Sequence, residues 1–557
     1  MSTVNENLVH LDKIADRTET SIVPSTIEYL FETDEERYLI GRLCYVHYLE
    51  GKPNAFRSFK RELGNILKPY KLYPPNDYKK VYSEKLTMDY LSLLKETIVE
   101  ISGYKFENFI FTHPSKLSLK KLNAYNSIIQ SILPEGTDFI FIDEATAGAL
   151  FFIQQKIVQK KHNYRLVVYD FGGGTIDITY LLITTHHSTI EVEILDVDGM
   201  PDYGGDNVSE AIEQLLVTDL ESDPDYHFIY ENNKWSKIYS KEAGSNKQRI
   251  WSFCESCKPD FRKKLEISGT LPKINYYNEL NDKIEAKNES IKIPINDVYK
   301  MIYFKIDESV NCIANLIERT SQDIIDLPCY LYISGQSSQI PLVKDIFDAY
   351  ENCKRPVYNE STNKIDYIVD SQAWPMKFSE TNFDDILAGK EFIKPCVALG
   401  AAYYYANYLE DEDNRQIVVK GLGKRNRTRF GTKKMDYIHA KELFIEWIPK
   451  NKEFVEESRI DELNQSNIMP DDACGLRDYT FIFFNDRLRN SISIYEHMGQ
   501  GDDYSDKNCE LVGEFTFDQP SGIVNKIKGK LLLVMTDQYE AVLKAQIGNE
   551  WIFAKKL

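Results

Sequence analysis

From about residue 20 to residue 408, short apolar runs alternate with stretches whose apolar residues recur every three or four positions. Phe109-Ile110-Phe111 gives way to Thr112-His113-Pro114 and then to a helical pattern from Leu117 to Leu133. Tyr330-Leu331-Tyr332-Ile333 runs into Ser334-Gly335-Gln336-Ser337-Ser338, with a helix expected from about Pro341. Strand, polar turn and helix repeated in this order predict an α/β architecture. At 409–416 the pattern stops in the charged run LEDEDNRQ, and apolar Ile417-Val418-Val419 follows. This predicts an interdomain linker over 409–419. Beyond it alternating stretches dominate, among them 479–484, 492–495 and 530–535, separated by turn clusters at 499–506 and 519–522. Residues 420–557 therefore read as a β domain. No internal repeat or low-complexity tract is present.

Composition narrows the class. The chain has 557 residues, 43% hydrophobic and 12% aromatic, enough to bury sizeable cores and too much for a disordered chain. At about 150 residues per domain it should hold three or four domains. Eighty-six acids against 67 bases give a net charge of -19, which argues against a nucleic-acid binder. Nine cysteines, an odd number scattered through the chain, read as a reduced intracellular protein. The N-terminus has no apolar signal core, and no run reaches the ~18 uncharged apolar residues of a membrane helix. A cytoplasmic location and no membrane contact are expected.

The sharpest chemical signal is Leu166-Val-Val-Tyr-Asp170-Phe-Gly172-Gly173-Gly174-Thr175-Ile-Asp177. An apolar run ends in an aspartate, three glycines turn, and alternation resumes, which makes a β-hairpin and not the strand-to-helix turn of a dinucleotide fold. Glycines let backbone N–H groups approach a phosphate chain, and Asp170 and Asp177 bracket the turn as carboxylates that can hold a hydrated Mg²⁺. A plain tight hairpin with solvated acids fits the same residues. Gly204-Gly205-Asp206-Asn207 leads into a helix at Val208–Val217 and reads either as an ordinary capped helix start or as a second phosphate turn. Glu144 falls in the first turn of a helix after a strand, where it complements the helix dipole or orients a metal-bound or attacking water. Small residues at Ala145, Ala147, Gly148 and Ala149 match a second small-residue helix at Val397–Ala402, and the two suggest a hinge or close core packing. Cys254 and Cys257 have zinc-like spacing without a second pair and read as a buried helical pair. Lys420–Lys434 holds seven bases and no acid, and reads as a solvated or docking face.

In this order the motifs resemble those of the seventy-kilodalton heat-shock (DnaK-type) chaperones of the actin-like ATPase superfamily. Asp170–Asp177 is similar to the family's second phosphate motif. Glu144-Ala-Thr-Ala resembles the first connecting helix with its catalytic glutamate, and Val397–Ala402 the second. Gly204-Gly205-Asp206-Asn207 is similar to the family's Gly-Gly-Glu-Asp turn. Ile333-Ser-Gly335-Gln336-Ser337 through Pro341 resembles the adenosine motif. Phe59-Lys60-Arg61 looks like the catalytic-lysine segment, and Cys254-Glu255-Ser-Cys257-Lys258 the adenosine-contacting helix. Pro114 stands where the family has a switch proline, and Ile492–Glu496 and Glu510–Phe515 resemble pieces of the peptide-binding sandwich.

The resemblance implies a two-lobed actin-like (ribonuclease H-like) ATPase domain over 1–408, with lobe I at about 1–163 and lobe II at about 164–408, followed by a β-sandwich. It implies a Mg²⁺-dependent ATPase using ATP and ADP, in which Lys60, Glu144, Asp170, Thr175 and Asp177 act in catalysis. Asp170, Asp177 and Glu144 would hold the metal through water. Gly172, Gly173, Gly174, Thr175, Gly204, Gly205, Asp206, Glu255, Lys258, Gly335, Gln336 and Ser337 would bind the nucleotide. The implied function is an ATP-dependent chaperone that couples nucleotide turnover to binding of unfolded or extended polypeptide clients, with co-chaperones as further partners. The alternative is a pseudo-ATPase adaptor whose β domain binds a protein partner. Several positions depart from the family's pattern. Pro259 replaces an arginine that stacks on adenine, Gln336 a glycine and Gln339 an arginine, and 350–393 reads as an insertion. The family's first phosphate loop, an Asp-x-Gly-Thr hairpin, is not found before about residue 10, and the helical lid is not found after the β domain. Leu8–Tyr29 resembles the chain just after that hairpin, so the reading frame is expected to begin upstream of Met1.

Overall fold

The computed structural model describes residues 23–422 apart from 32–35, 51, 66–67, 74–78, 104–105, 157–161, 187–188, 223–239, 259–260, 262–265, 279–282, 319–323, 371–376, 388–395 and 409–415. Beyond 422 it describes the strands at 429–434, 444–448, 475–482, 491–497, 509–516, 526–535, 541–547, 550–553 and 555–556. The expected N-terminal hairpin region, Pro259 and residues 423–428 of the basic window Lys420–Lys434 lie outside the described residues.

The chain is a mixed α/β protein. It opens with β1 (Thr26–Phe31), β2 (Glu36–Ile40), α1 (Arg42–Glu50) and β3 (Ala55–Arg57), and the three strands form one antiparallel sheet in the order β2-β1-β3. A short 3₁₀ turn, Phe59–Glu62, follows. Next come the small ribbon β4 (Tyr70–Leu72) with β5 (Lys79–Val81), then α2 (Ser83–Ser102). β6 (Asn108–His113), α3 (Leu119–Ile132), β7 (Asp138–Asp143) and α4 (Glu144–Lys156) form a strand–helix–strand–helix run, with β6 and β7 parallel. Ser118 caps α3 by accepting a hydrogen bond from the Lys121 N–H.

The central sheet is built from β8 (Tyr164–Phe171), β9 (Ile176–Thr185) and β10 (Ile190–Met200), an antiparallel meander. After it come α5 (Gly205–Glu221), α6 (Ser240–Cys257), the long hairpin β11 (Glu266–Asn278) and β12 (Lys283–Pro294), and α7 (Ile295–Glu318). β13 (Cys329–Ser334) lies parallel to β8, and α8 (Pro341–Glu351) follows it. The segment expected as an insertion holds the ribbon β14 (Lys354–Asn359) with β15 (Lys364–Val369), β16 (Glu380–Thr381) and α9 (Phe383–Leu387). α10 (Cys396–Tyr408) then leads to β17 (Ile417–Lys420), and the sheet order is β16-β13-β8-β9-β10-β17. Every residue of β8 is buried, as a strand covered on both faces requires. Val167, Tyr169 and Phe171 pack in a core with α5 to α8, whereas Leu166 and Val168 face a core shared with α4 and α10.

One boundary differs from the expectation. Ile417–Val419 is not a bare linker. It is the edge strand of the central sheet, pairing in parallel with Ile190–Glu193 of β10. An apolar, β-branched run beside an open sheet edge satisfies its backbone by joining it.

The remaining strands form two antiparallel sheets. β18 (Arg429–Lys434), β19 (Phe444–Ile448), β21 (Ser491–His497), β22 (Cys509–Thr516) and β26 (Lys555–Lys556) make one, in the order β19-β18-β21-β22-β26. β20 (Gly475–Ile482), β23 (Lys526–Met535), β24 (Ala541–Ile547) and β25 (Glu550–Phe553) make the other. Ile494 and Phe515 of the first sheet and Leu531 and Leu543 of the second share a buried cluster with Leu119, Leu122 and Ile129 of α3. Cys254 and Cys257 are buried on α6, and no group of three or more metal-ligating side chains converges among the described residues. No helix among the described residues is long and apolar enough to cross a membrane.

Candidate functional site

The antiparallel register of β8 and β9 sets Asp170 directly opposite Asp177, with Gly172, Gly173, Gly174 and Thr175 turning between the strands. Like charges facing each other across a ladder destabilise it. Burial, then the nearby Glu144, raises the Asp170 carboxyl to about 7, and the same causes in the same order raise Asp177. Asp170 Oδ1 is buried with no hydrogen-bond partner. Asp177 is better held. Its Oδ1 accepts from the Ser115 N–H at 2.6 Å and its Oδ2 from the Thr175 hydroxyl at 2.6 Å.

Helix α4 starts at the same place. Asp143, the last residue of β7, accepts from the Thr146 N–H at 2.9 Å and from the Ser115 hydroxyl at 2.9 Å, so it caps the helix and ties the 114–118 turn to it. Glu144 then begins the helix, and its Oε1 lies 3.2 Å from Lys60 Nζ. Lys60 also reaches the Thr112 carbonyl at 3.5 Å and stands 5.5 Å from the Tyr125 ring centroid. Burial works against the ammonium, yet Glu144 and Tyr125 outweigh it and hold the Lys60 pKa above the ordinary lysine value.

The two glycine turns meet backbone to backbone. The Gly205 N–H donates to the Gly172 carbonyl at 2.9 Å and the Asp206 N–H to the Gly173 carbonyl at 2.8 Å. A Cβ on Gly204 would stand 2.4 Å from Gly174 C and 2.6 Å from Thr175 N, so only glycine permits this approach. Gly335 and the 3₁₀ turn Gln336–Gln339 close the end of β8, with the Ser337 hydroxyl donating to the Gly172 carbonyl at 3.1 Å. Glu255 of α6 accepts from Ser209 at 2.6 Å and pairs with Lys258 at 2.8 Å. Burial opposes its charge, but Lys258 and Arg57 hold its pKa below the ordinary glutamate value.

The structure thus brings together Lys60, Glu144, Asp170, Asp177, Thr175, both glycine turns, Asp206 and Ser337. Glu255 and Lys258 join them through Ser209, one turn along α5 from Asp206. Gln336 lies in the adjoining turn, with no side-chain contact to the cluster described. Two residues that sequence reasoning did not single out sit at its mouth. Arg57 Nη2 lies 2.9 Å from Asp206 Oδ1, and Arg61 Nη2 lies 3.4 Å from Asp206 Oδ2 and 3.0 Å from the Gly173 carbonyl. The signal available for them was the basic spacing Arg57, Lys60, Arg61 around one candidate residue. Ser115 and Asp143 were missed as well.

These features define a mixed α/β protein whose glycine-rich hairpin carries facing carboxylates beside a lysine–glutamate pair. No protein-family model matches the chain. It is 26% identical over 306 residues to the chaperone protein DnaK of Mycoplasmopsis pulmonis, covering 54% of this chain and 45% of that one. It is 26% identical over 363 residues to DnaK of Mesomycoplasma hyopneumoniae, covering 64% and 53%. Against DnaK of Mycoplasmopsis agalactiae the identity is 24% over 340 residues, covering 61% and 51%. The chain is related to the DnaK-type, seventy-kilodalton heat-shock chaperones, and it spans about half the length of the curated relatives it matches.

Proposed function

We propose that the chain is an ATP-dependent chaperone of the heat-shock-70 type, with a two-lobed ATPase domain over 1–408 and a peptide-binding β-sandwich over 420–557. The observation that carries the reading is the facing pair Asp170 and Asp177 beside Lys60–Glu144, around a glycine-rich turn. A buried carboxylate oxygen without a partner and two raised carboxyl pKa values mark a place that favours a cation. Asp170, Asp177 and Glu144 would grip a hydrated ion through water. A magnesium ion held there would supply neutralising charge for the β- and γ-phosphates.

The protein's own groups divide the remaining work. Lys60 presents its ammonium to the γ-phosphate and orients the attacking water, and Glu144 fixes that ammonium. Thr175 lines the γ-phosphate pocket while its hydroxyl pins Asp177. The Gly172–Gly174 and Gly204–Gly205 turns cradle the phosphates, with Asp206 between them. Glu255 and Lys258 take the sugar, and Gly335, Gln336 and Ser337 border the adenosine. Little covalent chemistry is asked of the protein, because phosphoryl transfer rests on positioning and charge. Unfolded or extended polypeptides are the proposed clients, with co-chaperones as partners.

The test is phosphate release from MgATP by the full chain, beside Lys60→Ala and Asp177→Asn. Loss of positioned charge at a phosphoryl centre should lower turnover roughly 10²-fold or more. Undiminished turnover in either variant removes that residue from the mechanism. Absence of nucleotide binding by calorimetry would put the adaptor reading in first place.

A further inference from the structure

Lys60 sits in a turn whose three successive side chains leave in three directions. Phe59 is buried against α2, its ring 5.8 Å from that of Tyr90 and edge-on to it. Lys60 reaches Glu144 of α4, and Arg61 reaches Asp206 and the Gly173 carbonyl. Rotation of the turn about its axis would therefore carry the Lys60 ammonium away from Glu144.

The turn is too short to fix its own orientation. It is a four-residue 3₁₀ segment with long closing bonds, from the Arg61 N–H to the Ser58 carbonyl at 3.2 Å and from the Leu63 N–H to the Lys60 carbonyl at 3.4 Å. The residues that bound it are both left-handed, Ser58 at φ 57° and Gly64 at φ 74°. That conformation is uncommon for serine, and such strain persists where the surroundings over-determine it. Here the start of α2 supplies the hold. Glu84 Oε1 accepts from the Gly64 N–H at 2.8 Å. The buried Ser83 hydroxyl donates to the Glu62 carbonyl at 2.8 Å and stands 3.2 Å from Glu84 Oε2. Glu84 lies in the first turn of α2, where the helix dipole favours its charge.

We propose that Glu84 is a positioning residue for Lys60, fixing the turn from which the ammonium meets Glu144. The positioning rests on these contacts alone. Its consequence for turnover rests on the ATPase reading above.

Acylation of Lys60 by N-hydroxysuccinimidyl acetate, read by peptide mass spectrometry on the full chain, tests the positioning without nucleotide. Glu84→Ala should speed labelling of Lys60 by about threefold or more, because a partly exposed ion pair is what shields it. Glu84→Gln keeps an acceptor oxygen for Gly64 and should bring labelling back towards the wild-type rate. Wild-type labelling in Glu84→Ala overturns the proposal, and so does acceleration shared equally by the ion-paired Lys258 and Lys344. Phosphate release from MgATP should fall about tenfold in Glu84→Ala and be largely restored in Glu84→Gln. It should fall no further when Glu84→Ala is added to Lys60→Ala, since the two residues act as one unit. An equal further loss in that background would make Glu84 a structural residue only and overturn the proposal. Faster labelling with full turnover in Glu84→Ala overturns its part in the reaction. Faster labelling in Glu84→Ala, with no phosphate release from wild type, keeps the positioning and overturns the ATPase reading.

Discussion

Gly400 of α10 lies so close to Ala147 of α4 that a Cβ on it would stand 1.8 Å from the Ala147 carbonyl oxygen and 3.0 Å from the Phe151 nitrogen. The obstacle is helix backbone, which cannot rotate away as a side chain can. Both helices bury their small residues here, with Ala145, Ala147, Ala149 and Ala401 all within the core on that face of the central sheet.

Gly400→Ala should therefore force the helices apart and cost about 3 kcal/mol, at the upper end of overpacking effects. Ala402→Ser, on an exposed position of the same helix, should stay within about 0.5 kcal/mol. Urea unfolding of the full chain separates the two. Equal midpoints would show that the crossing relaxes freely.

The clasp at Asp206 reaches between segments far apart in the chain, since Arg57 and Asp206 are 149 residues apart. Arg57 also stands between Tyr45 and Trp251, 5.5 Å and 5.8 Å from their ring centroids, which keeps its guanidinium partly desolvated. Asp206→Asn keeps the shape and removes the charge shared by Arg57 and Arg61. Release of a fluorescent ADP analogue should quicken by about tenfold, because such contacts act mainly on the off-rate. An off-rate equal to that of wild type would detach the clasp from nucleotide retention.

The carboxylate pair gives a pH dependence of definite sign. The folded-state pKa of Asp170 is raised from 3.8 to about 7, and that of Asp177 is raised as well. Between these values the folded chain holds protons that the unfolded chain has lost, so the contribution is full below about pH 4 and is lost as pH rises towards 7. Asp170→Asn removes that loss, and the variant without metal should be more stable than wild type at pH 8 by a few kcal/mol, at roughly 1.4 kcal/mol per pKa unit. Magnesium should raise the melting temperature of wild type at pH 8, much less at pH 5.5, and not at all in Asp170→Asn. A magnesium effect independent of pH would point to a site elsewhere.

Much of this site is local in sequence and was legible there. An apolar run ending in Asp170, three glycines and renewed alternation through Asp177 specify a hairpin, and a hairpin fixes which residues face each other. Glu144 after an apolar strand and before Ala145-Thr146-Ala147 likewise announces a helix start. What escaped is non-local. Asp206 draws Arg57 and Arg61 through side chains whose partner no spacing rule supplies. β17 reads as a linker because its strand partner, Ile190–Glu193, lies more than 200 residues earlier and a parallel edge strand has no turn to announce it. Asp143 was overshadowed by its neighbour, although a carboxylate at a strand end before a helix is an ordinary cap.

A buried carboxylate joins α3 to the strands beyond residue 417. Glu496 of β21 is fully buried, and its Oε2 accepts from the Leu119 N–H, the first residue of α3, at 2.7 Å. A carboxylate at a helix N-terminus is favoured by the helix dipole and satisfies one of the end's free donors. Leu119 and Ile494 are buried with Leu117 and Phe515 in one apolar cluster, so water has poor access to the place of the lost acceptor. Glu496→Ala should leave a buried N–H unmet and cost about 1–3 kcal/mol. Glu496→Gln retains an acceptor oxygen and should cost less than about 1 kcal/mol, the difference between a charged and a neutral bond. If this contact holds the β strands against α3, Glu496→Ala should also speed amide exchange in Leu119–Leu122 more than in β6 and β7. Exchange in α3 at the wild-type rate, with the stability loss confined to the β strands, would mean that Glu496 serves its own sheet and not the join.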